Sequence, residues 1–339
     1  MGQEGKCGST DVAANKLRIG VIGAGYFGRF HTLKVAGNPR AVLAGVYDAD
    51  PERAALVAKE AGGAVFSSID ALIAASDAVV IAAPAEAHFD IAQAALAAGR
   101  HVLVEKPITA SLAQADALAA LAAQKHKVLQ VGHLLRYTAE HKAISERITR
   151  PLYIEATRIA PFKPRGTDVS VILDLMIHDL DLVLSLVDSE IDYVDAMGAA
   201  VSSEFEDIAN ARVRFKNGCV AAITASRISL KTERKMRIFS EEGYLSADFG
   251  AKSLTMIGRD RGIPLPGTGG FRREQISWSD SDAMQAEHVA FTASILDGAP
   301  VLVDAHAGRR ALAAAIAVTE AMAMSRKVAE ASGLITGIK

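Results

Sequence analysis

From Leu17 to about Gly132, short and almost unbroken apolar runs alternate with Ala-rich stretches of helical period. This is the pattern of repeated βα units feeding a parallel sheet. Strands are predicted over Leu17–Ile22, Ala41–Tyr47, Ala78–Ala82, His101–Val104 and Val128–Val131, each apolar on both faces as strands covered on both sides must be. A helix is predicted over Pro51–Ala61, with Pro51 at its first position. After about Arg136 the pattern changes. One strongly apolar helix, Asp168–Val187, precedes strand candidates between Ile191 and Ser277. Within them Ala211–Phe215 alternates apolar residues with Arg212 and Arg214, and Asn217-Gly218 reads as a two-residue hairpin turn. Consecutive strands imply a largely antiparallel sheet with one face left for another subunit. The Pro- and Gly-rich stretch Gly258–Gly270 reads as a mobile loop. Two helices, Ala283–Leu296 and Ala305–Ala323, close the chain.

A chain of 339 residues exceeds what one core usually organises. We divide it into an extension over 1–16, read as disordered, a nucleotide unit over 17–136 and a substrate and oligomer unit over 137–339. The net charge of −2 gives no general pull toward nucleic acid or membranes, and neither is expected as a partner. Cys7 and Cys219 form neither a disulfide framework nor a metal cluster. With no apolar leader or membrane span, the expected compartment is the cytoplasm.

Gly23-Ala24-Gly25-Tyr26-Phe27-Gly28 directly follows the first strand, and Asp48 follows the second. In a Rossmann unit the first glycine permits a tight turn, the second lets a pyrophosphate approach the backbone, and the third packs helix on strand. The helix N-terminus then faces the phosphates. Asp48 suits the adenosine ribose hydroxyls and would repel a 2′-phosphate, so NAD is the expected cofactor rather than NADP.

The strand His101–Val104 runs into Glu105-Lys106-Pro107, placing a lysine at the carboxyl edge where open α/β sheets bind ligands. Such a lysine can stabilise a developing alkoxide, although an isolated Lys-Pro by itself reads more readily as a solvated surface side chain. On the predicted Asp168–Val187 helix, Ser170, Asp174, His178, Asp181 and Ser185 share one face. Asp174 and His178, one turn apart, are expected to form a carboxylate–imidazole pair, with His178 as general base. A plain solvent stripe is the alternative. Arg136, Tyr137, Arg158, Lys163 and Arg165 cluster near the junction of the two units and could hold an anionic handle. Pro84, His88 and Glu105, with Tyr26 and Phe27, are assigned to the cofactor side. His133 is left undecided, and Trp278 and Cys219 read as packing residues.

Together Gly23–Gly28, Glu105-Lys106-Pro107 and Asp174–His178 resemble the motifs of the glucose-fructose oxidoreductase, inositol dehydrogenase and rhizopine-catabolism (Gfo/Idh/MocA) family, over nearly all of the chain after residue 16. The resemblance implies a Rossmann domain joined to an open-sheet α+β domain that also makes oligomer contacts. It further implies NAD-dependent oxidation or reduction of sugars, cyclitols or sugar nucleotides, with proton handling by Lys106 and His178. A narrower likeness over Arg158–Arg165 and Asp174–Asp179 points to the family's UDP-N-acetylglucosamine 3-dehydrogenase branch, whose ketone product is aminated for lipid A synthesis. A free-sugar or inositol dehydrogenase and a catalytically silent NAD-binding sensor stay open as alternatives.

Overall fold

The computed structural model describes residues 16–163, 169–279 and 281–334. The expected extension over 1–16 therefore lies outside the described residues, Lys16 apart.

The first part alternates β1 (Leu17–Ile22), α1 (Tyr26–Ala36), β2 (Ala41–Tyr47), α2 (Pro51–Ala61), α3 (Ile69–Ala75), β3 (Ala78–Ile81), α4 (His88–Ala97), β4 (His101–Glu105), α5 (Leu112–Gln124) and β5 (Leu129–Gly132). Its five strands are parallel in the order β2-β1-β3-β4-β5, so the chain changes direction across the sheet at β1 and β3. A crevice for ligands opens at such a switch point, beyond the carboxyl ends of the strands. Local chemistry starts the helices where the sequence says: Asp50 caps α2 by accepting from the N–H groups of Glu52 and Arg53, and Pro51 follows it.

The second part holds α6 (Ala139–Ser145), β6 (Pro151–Ile159), α7 (Ile177–Leu186), β7 (Ile191–Ala199), β8 (Ile208–Phe215), β9 (Val220–Ser226), β10 (Glu233–Ser240), β11 (Gly243–Asp248), β12 (Ser253–Gly258), β13 (Ile263–Pro264) and β14 (Arg272–Ser277). These strands form one nine-stranded sheet in the order β13-β14-β12-β11-β10-β6-β9-β8-β7. Every pairing is antiparallel except β6 with β9. Inward residues such as Ile154, Val213, Ile223 and Ile238 meet α7 and the last helix in one core. The two sheets together are the α/β-plus-α+β architecture expected.

The closing helices α8 (Ala283–Leu296) and α9 (Ala305–Ala331) return to the first sheet. Phe291 of α8 packs with Ile19 and Leu103, Leu312 of α9 packs with Val104 and Val131, and the Val131 N–H donates to Val303. The chain after residue 137 thus supplies core to both sheets.

Several local expectations are corrected. The last helix runs eight residues beyond the predicted Ala323, because its inner face continues through Ala329. The β8–β9 hairpin closes on Phe215 and Cys219 with a three-residue loop, Gly218 taking φ +92°, rather than a two-residue turn. Gly258–Gly270 is mostly turn and bend, as a loop should be, with one short pairing added: β13 pairs with β14, Arg272 Nε donates to the Gly262 carbonyl at 2.7 Å, and the Arg259 guanidinium lies 4.6 Å from the centre of the Phe271 ring. Helical structure begins at Val171, and over Ile172–Met176 the turns widen to the π form before α7. No helix among the described residues is long and apolar enough to cross a membrane.

Candidate active site

The glycine turn sits at the switch point and each glycine has a distinct steric reason. Gly23 has φ +95°, and a Cβ there would lie 2.5 Å from the Ala82 carbonyl oxygen. A Cβ on Gly28 would lie 1.9 Å from the Gly23 carbonyl oxygen, so helix and turn touch at that point. A Cβ on Gly25 would point into open space with nothing within 4 Å, and no side chain caps α1 there. Open space in front of uncapped helix N–H groups is what a pyrophosphate needs, and the residues present fit a dinucleotide. Tyr26 and Phe27 stand largely exposed at the start of α1. Asp48 leaves the end of β2 and is tied to the turn: its Oδ2 accepts from the Ala24 N–H at 2.6 Å and its Oδ1 from the Asp50 N–H at 2.8 Å. The carboxylate is thereby held beside the glycine turn, where an adenosine ribose would arrive.

Lys106 follows β4, and its peptide with Pro107 is cis. Its Nζ donates to the carbonyl oxygens of Leu173 and Asp174, both at 3.1 Å. A lysine of the first sheet therefore reaches across to the widened turn ahead of α7. Burial pushes its pKa below the ordinary range, against the opposing pull of Asp174 and Glu105. His178 lies one turn further along. Burial, then the positive charges of Lys106 and Arg158, hold its pKa well below the usual imidazole value, so the ring is neutral at pH 7. The structure brings Lys106, Asp174 and His178 into one neighbourhood.

The expected Asp174–His178 pair is not formed. His178 Nδ1 is buried without a hydrogen-bond partner, and the Asp174 carboxylate acts on Lys106 instead. Asp174 lies in the π stretch, where the buried ammonium of Lys106 takes up its charge, and His178 lies beyond it in α7. Nor is the stripe solvent-facing: Asp181 is buried beside Arg136, and the Ser185 hydroxyl lies 3.0 Å from His141 Nε2.

Other assigned residues divide. Arg158 is no free anion handle: its Nε and Nη2 donate to Asp179 at 2.7 and 2.8 Å, both side chains buried, and Arg234 faces it across the β6–β10 register. Arg136 lies 3.4 Å from Asp181, on a cleft of about 260 Å³ between α7 and α9 that neither Lys106 nor His178 lines. Tyr137 is largely buried against the first core, and burial pushes its phenol pKa up. Lys163 is exposed. Arg165 lies outside the described residues. Pro84 precedes the short turn leading into α4. His88 has both ring nitrogens against carbonyl oxygens, Pro107 at 2.8 Å and Ala83 at 2.9 Å, which leaves it no polar atom for a cofactor. Glu105 likewise turns inward, to His31. His133 is buried with neither nitrogen bonded, and Cys219 and Trp278 pack in or against the second core.

The sequence reading passed over His31, Asp179, Arg234, Glu287 and His288, all in or behind this neighbourhood. One signal was available for His31. With Gly28, Thr32 and Val35 it lies on the inward face of α1, where a histidine needs a buried partner.

Comparison with known proteins agrees with this geometry. Residues 17–133 match the oxidoreductase family with an NAD-binding Rossmann fold, and residues 145–246 match the GFO/IDH/MocA C-terminal domain. The chain is 44% identical over 310 residues to UDP-N-acetylglucosamine 3-dehydrogenase of Acidithiobacillus ferrooxidans, covering 90% of this chain and 97% of that protein. A solved structure of that enzyme superposes with a TM-score of 0.84 over the same shares of the two chains. Inositol 2-dehydrogenase of Rhizobium meliloti is 27% identical over 331 residues, 92% of this chain and 98% of the relative. Scyllo-inositol dehydrogenase of Lactobacillus casei, solved with NAD(H) and scyllo-inositol, shares the fold at a TM-score of 0.76 and 23% identity, over 92% of this chain and 98% of its own. On its two matched domains, its glycine turn and its near-complete overlap with a relative of 44% identity, the chain belongs to the Gfo/Idh/MocA family of NAD-binding oxidoreductases.

Proposed function

We propose that this enzyme oxidises UDP-N-acetylglucosamine at its 3-hydroxyl, with Lys106 and His178 handling the hydroxyl proton. The observation that carries the reading is the 44% identity, over nearly the full length of both chains, to an enzyme of that name. NAD, when bound, accepts the hydride from the carbinol carbon.

The chain's own residues supply the rest. The Lys106 nitrogen has four tetrahedral positions: one is Cε, and two are directed at the carbonyls of Leu173 and Asp174. One position is left for the substrate oxygen, where the ammonium form donates a proton and the amine form accepts one. Neutral His178 presents a second acceptor. As the C–H pair leaves, charge develops on the hydroxyl oxygen, and the positive charges of Lys106, Arg158 and Arg234 stabilise it. Asp174 favours the cationic form of Lys106 against the effect of burial.

In this reading residues 17–136 hold the nucleotide, while 137–339 hold the substrate and the oligomer contacts. Arg136, Lys163 and Arg165 are the cations offered to a diphosphate. A homo-oligomer through the outer face of the large sheet is supported by the exposed Tyr193, Met197 and Phe239, the last packed between the half-buried Tyr153 and Tyr244. A cytoplasmic location is supported by NAD use and by the unpaired, buried Cys219.

The test is to incubate the protein with NAD and a panel of UDP-sugars, free sugars and inositols while following reduced-cofactor absorbance. Turnover of UDP-N-acetylglucosamine, inhibited by UDP, is expected. Turnover of free sugars or inositols alone would replace this reading with the inositol-type one.

A further inference from the structure

Behind Lys106 lies a buried chain of titratable groups that proton transfer to the substrate does not use. His288 Nε2 of α8 is 2.9 Å from His31 Nδ1 of α1, and His31 Nε2 is 2.8 Å from Glu105 Oε1 at the end of β4. The other carboxylate oxygen of Glu105 accepts the Lys106 main-chain N–H at 3.2 Å. Both imidazoles are fully buried and Glu105 nearly so.

Hydrogen-bond arithmetic fixes the order of protons. Glu105 is held ionised: burial opposes this, but the His31 hydrogen bond and the charge of Lys106 outweigh it. An ionised carboxylate only accepts, so His31 Nε2 carries a proton. Burial first, then His31 and Lys34, keeps His288 neutral. His288 Nδ1 has no partner, so its single proton sits on Nε2 and is donated to His31 Nδ1. Every donor in the chain therefore points toward Glu105. Nearby Glu287 of α8 has both carboxylate oxygens buried without partners, and burial together with the negative charge of Glu105 keeps it protonated. The chain thus carries one negative charge, directly behind the lysine.

The geometry points to His31 and His288 as positioning residues for Lys106, acting through Glu105: they hold that carboxylate charged and aimed, so that it fixes the lysine's backbone and keeps its side chain cationic. The inference rests on the proposed role of Lys106. It adds a consequence, because α1 also carries the glycine turn, so the cofactor-binding helix and the lysine are joined by one buried link. The charged groups facing Lys106 are Asp174 and Glu105, which favour its cationic form, and Arg158, which opposes it. Those facing Glu105 are His31, Lys106, Glu287 and, across β5, His133.

Without the His31 donor, burial drives the Glu105 carboxyl to its protonated form, and Lys106 loses an anion that supports its charge. The amine form of Lys106 then becomes populated at lower pH. The test labels the folded apo-protein with acetic anhydride across a pH series and follows the Lys106 peptide by mass spectrometry, a readout needing neither substrate nor cofactor. In His31→Leu the labelling midpoint is expected at lower pH, with Lys106 labelled about 3- to 10-fold faster near neutrality. His31→Gln, which keeps an N–H at the Nε2 position, is expected to restore wild-type labelling. Glu105→Gln removes the charge at constant shape and is expected to match His31→Leu; it decides the matter if the leucine variant does not fold. An unchanged midpoint in folded Glu105→Gln, or in folded His31→Leu, overturns the proposal, as does a glutamine variant at His31 that behaves like leucine. If labelling shifts as expected but no sugar is turned over, the functional reading fails while the positioning device stands.

Discussion

Arg158 is the assigned residue whose role the structure changes most, and removing it gives a quantitative test. Its guanidinium makes a two-pronged contact with Asp179, at 2.7 and 2.8 Å, with both side chains less than a tenth exposed. Deleting one partner of a buried pair typically costs about 3–5 kcal/mol, because the other charge stays buried and unpaired. Arg234, close enough to feel Asp179, offsets part of that loss. Arg158→Met is therefore expected near the lower end, about 3 kcal/mol, seen as a fall of about 1 M or more in the urea midpoint. Removing both charges in Arg158→Met/Asp179→Leu is expected to recover most of that stability, since hydrophobic replacement of a whole buried pair is often near neutral. The double variant also takes away a positive charge that depresses the pKa values of Lys106 and His178, so the pH limbs of its turnover move upward. Urea titrations of the four proteins in the cycle, with KM for the substrate, decide the matter. A single variant as stable as wild type, or a stable double variant that has lost substrate affinity, would refute the assignment of Arg158 to internal pairing and return it to the substrate.

Three further outcomes follow from the same geometry. Gly28→Ala forces a Cβ onto the Gly23 carbonyl, and NAD affinity measured by fluorescence titration is expected to fall by more than about tenfold; unchanged affinity would contradict the account of the turn. Asp48→Ser removes the charge facing the ribose, so the ratio of kcat/KM for NAD over NADP is expected to drop by about tenfold or more, and a ratio that holds would remove Asp48 from cofactor selection. Burial, reinforced by Lys127 at one site and Arg136 at the other, pushes His101 and His141 down to about 4. Between their unfolded value of about 6.5 and that pH, the unfolded chain binds more protons, so stability is retained above pH 6.5 and lost on acidification toward 4. Urea midpoints measured from pH 7 to 4.5 should fall steadily; a rise would mean these rings are not buried neutral.

Much of the first sheet was legible because its strands are covered on both faces, which leaves an unmistakable apolar run such as Ala78–Ile81 or Val102–Val104. The glycine turn was legible because its constraints are local: a positive φ at Gly23 and contact at Gly28 act within one βα unit. The position of Lys106 followed from the strand before it. What Lys106 touches did not, since the carbonyls of Leu173 and Asp174 lie 67 and 68 residues away and are exposed to it by a wide turn that helical periodicity cannot distinguish from an α-helix. The same holds for Arg158 with Asp179 and for His31 with His288, 257 residues apart. A cation or imidazole reads alike in sequence whether it faces water or a buried partner. Gly258–Gly270 was legible as a loop from its prolines and glycines, and only the short β13–β14 pairing within it was not.

The central claim is that Lys106 and His178 move the hydroxyl proton at one site fed from both halves of the molecule. Rapid mixing of NAD-loaded protein with UDP-N-acetylglucosamine, following reduced cofactor in a single turnover, tests it most directly. Lys106→Met and His178→Asn are each expected to slow that step by about 10²-fold or more while NAD binding is retained. Variants that bind NAD and form reduced cofactor at close to the wild-type rate would contradict it.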